Sequence, residues 1–275
     1  MRPVLFEIFG FPLPPYGTML ALSFLFGLGL ATWRARRDDL NPHAVLDLVI
    51  VIIIGVGLGS RLYYALLHPE EFDGNLLNAF NPLREGGAGN GLVMYGGLFG
   101  GIIAGFIYMR LKRISFPRYA DAMAPSIALG VFLTRIGCFL NGCCYGEGTD
   151  GPMAVTFPAG SAPRRYQEEI HTAGLHPSQL YESFGGLVLL LILLTAGRKW
   201  KKWEGLQFYI VILFYSVLRF MVEYTRHFEP GEMLGPFTHN QVVCIVLFVA
   251  SGFLVLRSLG AVPNFRHRRA HRLAP

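Results

Sequence analysis

Seven apolar stretches separated by polar connections constrain this chain more than any other feature. Several approach or exceed the roughly 18 to 20 residues that a helix needs to cross about 30 Å of hydrocarbon. In lipid every backbone polar group must be satisfied internally, and the alternation of a β-barrel is absent. Helices are therefore expected, over about residues 16–33, 45–67, 92–109, 119–140, 180–196, 206–224 and 241–256. Composition agrees, with 52% hydrophobic residues, 15% charged residues and a mean hydropathy of +0.42. The first run is expected to be a retained span, not a cleavable signal peptide, because its basic residues follow the apolar segment instead of preceding it.

Basic residues set an expected orientation. Arg34, Arg36 and Arg37 follow the first run, and Arg110, Lys112, Arg113 and Arg118 follow the third. Arg198, Lys199, Lys201 and Lys202 follow the fifth, and Arg257, Arg266, Arg268, Arg269 and Arg272 follow the last. The opposite side carries only Arg2, Arg84, Arg164, Arg165 and Arg226. This asymmetry places the N-terminus outside and the C-terminus inside. The net charge of +6 then reads as a topology signal and an attraction to anionic membrane lipids, not as nucleic-acid binding.

The expected fold class is an all-α integral membrane protein of seven transmembrane helices, forming one multi-span domain over residues 1–275. Gly55 and Gly59, and then Gly97, Gly101 and Gly105, recur every four residues and let helix backbones approach where lipid offers no hydrophobic drive. The two longest connections, 68–91 and 141–179, lie on the outer side and are rich in Gly, Pro and acidic residues. The second is long enough for a small extracytoplasmic cap, and long loops in a compact protein are usually functional.

With this topology Arg135 sits five residues before the outer end of its helix, roughly 8 Å down at about 1.5 Å per residue. A guanidinium there marks a functional site when it meets a partner or a cavity; on its own it would read as an arginine snorkelling to the headgroups. Arg219 and Arg61 fall at a similar depth, and so do Tyr16, Tyr95, His176, Gln179, Tyr181 and Glu182. Glu223 follows Arg219 by four residues on the same helical face and can hold it. Guanidiniums outnumber carboxylates in this layer even if Glu182 pairs with one. Surplus positive charge wants an anion, and the anion available at this depth is a phospholipid phosphate.

Five segments, Tyr16-Gly17, Tyr95-Gly96-Gly97-Leu98, the stretch from Arg135 to Gly146, the stretch from His176 to Glu182, and the stretch from Arg219 to Glu223, together resemble the prolipoprotein diacylglyceryl transferase family over nearly the whole chain. The resemblance implies a monomeric enzyme of the bacterial inner membrane with its site toward the outer leaflet, using neither metal nor cofactor. It would move the diacylglyceryl group of phosphatidylglycerol onto the lipobox cysteine of a prolipoprotein signal peptide, releasing glycerol phosphate. Arg135 and Arg219 would stabilise charge on the departing phosphate, with Arg61 assisting or holding the bundle. Tyr95, His176 and Glu223 are candidates to take the acceptor thiol's proton. Tyr16, Gly96, Gly97, Gly137, Asn141, Gly146, Gln179 and Glu182 carry over as substrate contacts.

Cys138 and Cys143 stand where the family usually has asparagine and glutamate, and Tyr95 stands where many members have histidine. A second reading therefore runs alongside: a homologue for another acceptor or lipid, or a non-catalytic phospholipid-binding protein. Cys138, Cys143 and Cys144 are read as structural, as packing thiols or as a disulfide that Cys244 could join. A zinc site is not expected, because the side chains of adjacent Cys143 and Cys144 should diverge.

Overall fold

A computed structural model describes residues 6–8, 11–72, 94–200, 202–227 and 233–260. A short hairpin, β1 (Phe6–Ile8) and β2 (Phe11–Leu13), precedes α1 (Pro15–Arg37), α2 (Pro42–Leu67), α3 (Met94–Leu111) and α4 (Phe116–Asn141). Then come β3 (Gly148–Thr149), α5 (Ala162–Glu169), β4 (Gly174–Leu175), α6 (Ser178–Ala196) and α7 (Leu206–Glu223). The hairpin β5 (Met233–Leu234) and β6 (Phe237–Thr238) leads into α8 (His239–Ser258). All three strand pairs are antiparallel.

Six of these helices, α1, α2, α4, α6, α7 and α8, are long and apolar enough to cross a membrane. The expected third span corresponds to α3, which over its fully described length, Gly96–Leu111, is apolar but shorter. Helix faces carry large apolar side chains with nothing packed over them, such as Leu25, Ile54, Val246 and Val249. In water such faces would be an aggregation hazard, whereas hydrocarbon tolerates them.

The described residues form two compact units, one within 1–34 and 120–275 and the other within 35–119. In the smaller unit α2 and α3 pack backbone to backbone. A Cβ at Gly59 would strike the Gly96 carbonyl oxygen, and one at Gly100 would strike that of Gly55. Gly97 and Gly101 receive the side chains of Ser60 and Val56. Gly100→Ala is expected to force these helices apart and to lower stability by about 1–3 kcal/mol. Thermal unfolding in detergent checks it, and an unchanged midpoint would show that the helices separate without penalty.

In the larger unit α1 runs antiparallel along α4: Ser23 lies beside Gly130, and Met19 and Tyr16 lie beside Gly137. The core between α4, α6 and α7 is built from Ala124, Ala128, Leu189, Leu190, Leu193 and Val211. At one end of this unit Asp121 accepts hydrogen bonds from the Gly205 and Phe208 backbone N–H groups, capping the start of α7 across the fold. Arg34 donates to Gln207 beside it at 2.7 Å. This end is locked by polar contacts, and the candidate site lies toward the other.

Candidate active site

Small residues on α6 decide where the charges meet. Gly186 lies against the α4 backbone at Phe132 and Ala128, and Ser183 donates to the Phe132 carbonyl at 2.9 Å. Gly185 lies against Leu218 of α7. The three helices are thus drawn together, and Glu182, next along α6, sits between Arg135 of α4 and Arg219 of α7. Its Oε1 takes Arg135 Nη2 at 2.8 Å and the Tyr215 hydroxyl at 2.6 Å. Its Oε2 faces Arg219 Nη1 at 3.9 Å.

Arg219 is held a second time by Glu223, one turn further along α7, with Nη2 to Oε2 at 2.7 Å. This is a charge contact whose angle falls short of a hydrogen bond, because Glu223 Oε2 has no hydrogen-bond partner among the described residues. Glu223 Oε1 accepts from Thr238 at 3.0 Å and Asn240 at 2.9 Å. Thr238 also caps α8 in a capping box with Gln241, so one residue starts the last helix and orients a carboxylate. Glu182 and Glu223 are 2% and 0% exposed, whereas Arg135 and Arg219 keep 20% and 11% of their side-chain surface. The acids are buried posts, and the two arginine side chains keep a small share of their surface exposed, although Arg219 Nη1 itself is buried.

Within the larger unit two arginines meet two carboxylates. Arg61 belongs to the other unit, buried on α2 with its guanidinium carbon 5.2 Å from the Phe72 ring centre and 5.7 Å from that of Tyr64. What the larger unit offers an anion is directed donors. Arg219 Nη1 is buried and makes no hydrogen bond among the described residues, and a guanidinium has five N–H groups to place. An apolar cavity of about 180 Å³ opens between α7 and α8, lined by Val217, Phe220, Met221, Cys244, Ile245 and Phe248.

The connection 142–177 folds into β3, α5 and β4 and is stitched to the end of α7 at Gly146. Gly146 N–H donates to the His176 carbonyl, Glu147 N–H to that of Thr225, and His176 N–H to that of Glu147. The Ser178 hydroxyl bonds to Thr225 as well. A Cβ at Gly146 would strike the Thr225 carbonyl oxygen and come within 2.7 Å of His176 Cβ, so the seam closes only on glycine. His176 Nδ1 lies 3.1 Å from the Tyr181 hydroxyl. Gln179, 1% exposed, donates to the Cys143 carbonyl at 2.8 Å. Glu147 meets Tyr166 at 2.7 Å and His227 at 3.0 Å. Burial works to raise its pKa, but these two partners outweigh it and hold the carboxyl below its ordinary value.

The cysteines depart most from expectation. Gly142, at φ +78°, ends α4 in a Schellman motif: its N–H bonds to the Phe139 carbonyl and that of Cys143 to the Cys138 carbonyl. This folds Cys143 back over Cys138. Cys144, itself at φ +58°, turns its side chain the same way. The sulfur atoms of Cys138, Cys143 and Cys144 all lie within 4.8 Å of one another, so the expected divergence does not occur. No disulfide forms, and all four cysteines are free thiols, with Cys244 outside the cluster. Hydrogen bonds from Cys138 and Cys143, then the charges of Arg226 and Arg135, draw the Cys144 thiol below its ordinary pKa. Asn141 is the last residue of α4.

The larger unit therefore brings together Arg135, Glu182, Arg219 and Glu223, with Gln179 in the first turn of α6, Gly146 and His176 in the adjoining connection and Tyr16 beside Gly137. Arg61, Gly96 and Gly97 lie in the smaller unit, as does the backbone of Tyr95, whose side chain falls outside the described residues. Sequence reasoning missed Tyr215, Thr238 and Asn240. Tyr215 carried a signal, since it precedes Arg219 by four residues on one helical face.

Comparison with known proteins supplies a lineage for this geometry. The sequence model of the family described as prolipoprotein diacylglyceryl transferase matches residues 3–257. A protein of Clostridium tetani named phosphatidylglycerol–prolipoprotein diacylglyceryl transferase is 37% identical over 255 residues, 92% of this chain and 96% of its own length. A protein of the same name from Geobacter sulfurreducens is 36% identical, over 90% of this chain and 91% of its own length. One from Acaryochloris marina is 33% identical, over 89% and 86%. Matched along nearly its whole length, the chain belongs to the prolipoprotein diacylglyceryl transferase family.

Proposed function

We propose that this protein transfers the diacylglyceryl group of phosphatidylglycerol to the cysteine thiol of a prolipoprotein. The sulfur attacks the glycerol carbon that carries the phosphate, an S–C bond forms and the C–O bond breaks. Glycerol phosphate leaves with one more negative charge than the phosphodiester had, and the thiol proton passes to a base or to solvent. The catalytic demand is therefore stabilisation of charge growing on phosphate oxygen. Arg135 and Arg219, fixed by Glu182 and Glu223, suit that demand because their donors are oriented before the reaction begins.

The observation that carries this reading is Arg219 Nη1, a buried cationic donor with no hydrogen-bond partner among the described residues, beside a carboxylate it shares with Arg135. Glu223 acts as the post that aims Arg219, since it is fully buried among Thr238, Asn240 and Arg219. His176 is the candidate to receive the thiol proton, and Tyr181 sets its ring. The apolar cavity between α7 and α8 suits an acyl chain of the donor lipid. Gly137, Asn141, Gly146, Gln179 and Tyr16 shape the approach to Arg135. The parts assigned to Arg61, Tyr95, Gly96 and Gly97 rest on the family resemblance.

The test is the purified chain with phosphatidylglycerol and a lipobox peptide, followed by peptide mass. A diacylglyceryl adduct on the peptide cysteine is expected. Binding of the lipid without transfer would overturn the reading in favour of a non-catalytic lipid-binding protein.

The finer placement is a monomer in the bacterial inner membrane, a single multi-span domain of seven spans, with the N-terminus outside, the C-terminus inside and the site toward the outer leaflet. The asymmetry of basic residues supports it. In intact spheroplasts, a cysteine-free variant with one cysteine introduced at Asp150 in the connection after α4 is expected to react with a membrane-impermeant maleimide. Reaction only after lysis would place that connection, and the site with it, on the inner side.

A further inference from the structure

We propose that Cys138, Cys143 and Cys144 form a three-thiolate site for a thiophilic d¹⁰ cation, Zn²⁺ or Cu⁺. The three sulfurs all lie within 4.8 Å of one another. Around a cation with metal–sulfur bonds of about 2.3 Å, three sulfurs stand roughly 3.8–4.0 Å apart. Small changes in side-chain rotamer close that difference. Backbone geometry does the gathering: the Schellman turn at Gly142 returns Cys143 to Cys138, and the left-handed Cys144 adds the third thiol.

Three features separate this cluster from a chance meeting of buried thiols. All three donors are of the soft type that selects Zn²⁺ or Cu⁺ over Mg²⁺ and Ca²⁺. The loop is braced from outside, because Gln179 donates to the Cys143 carbonyl at 2.8 Å; such supports orient metal ligands elsewhere. Arg135 and Arg226 lie near enough to act electrostatically on the sulfurs. Three thiolates and one Zn²⁺ leave a net charge of −1, and three with Cu⁺ leave −2, which these guanidiniums offset. Binding releases the thiol protons to solvent, and no oxidant or reductant is needed. Cu⁺ is complete with three sulfurs, and Zn²⁺ would take a water as its fourth ligand.

The full-length chain, purified in detergent with reductant, is loaded with Zn²⁺ and, in a separate anaerobic sample, with Cu⁺. One equivalent of at least one cation is expected to remain after gel filtration, and which one remains identifies the physiological class. In that loaded wild type, Cys138, Cys143 and Cys144 should resist maleimide until a chelator is added, while Cys244 is unaffected by the chelator. Cys138→Ser, Cys143→Ser and Cys144→Ser should each weaken retention by about 100-fold or more, and Cys244→Ser should leave it unchanged. Three results would each overturn the site: no cation retained by the wild type, retention by the variant lacking all three cysteines, or a protein mass short of two hydrogens with a disulfide mapped inside the cluster. Retention and thiol protection are read on folded wild type without a transfer assay, so this result and that of the peptide assay are independent.

Discussion

Arg135→Ala is expected to remove diacylglyceryl transfer while leaving a folded membrane protein. Loss of one directed donor to a developing oxyanion slows a reaction by about 10²–10³, and alanine removes a whole guanidinium. Arg135→Lys should retain partial activity, because a point charge attracts the phosphate but does not give planar bidentate contacts. Some stability is lost as well, because the buried Glu182 is left with the Tyr215 hydroxyl and only the more distant Arg219. Rates with phosphatidylglycerol and a lipobox peptide, measured beside thermal midpoints, separate the two effects. Wild-type turnover by Arg135→Ala would take the phosphate role away from this residue.

Glu182→Ala should do the reverse and damage the fold first. Two guanidiniums, 20% and 11% exposed, would lose the carboxylate between them. Breaking a buried pair by removing one partner costs about 3–5 kcal/mol, because an uncompensated charge stays behind. Glu182→Gln keeps an acceptor for Tyr215 and should lose less, about 1–3 kcal/mol. Size-exclusion profiles and unfolding midpoints in detergent report the order. A Glu182→Ala protein as stable as wild type would mean that α4, α6 and α7 are held by their packing alone.

The long helices were legible because length and hydropathy determine them, and expected and observed limits agree within a few residues, although six and not seven are long and apolar enough to cross a membrane. The Arg219–Glu223 pair was equally plain, since a four-residue spacing on one helix needs no tertiary information. The sharing of Glu182 was less so. Equal depth along a membrane normal says nothing about which helices are lateral neighbours, and that choice was made by Ser183, Gly185 and Gly186 fitting α4 and α7. Within the smaller unit Arg61 stacks on aromatic rings, a contact its spacing in the sequence did not announce. The thiol cluster failed for another reason. Adjacent side chains diverge on regular backbone, and the left-handed φ at Cys144 has no compositional signature, although Gly142 did announce the turn before it.

Glu182 also imposes an order on synthesis. A ribosome completes α4 before α6 and α6 before α7, so Arg135 reaches the lipid while its counter-ion is still untranslated. An isolated arginine raises insertion free energy by about 2.5–3.5 kcal/mol at a helix centre and by less near an end, where Arg135 lies, and no carboxylate within a turn on α4 offsets it. Helix α7 escapes this difficulty, because it carries Glu223 for its own Arg219. The apolar length of α4 is enough to carry it into the membrane alone, and the arrival of α6 then gives Arg135 its counter-ion, so the pairing is expected to favour assembly of the helices more than insertion of α4.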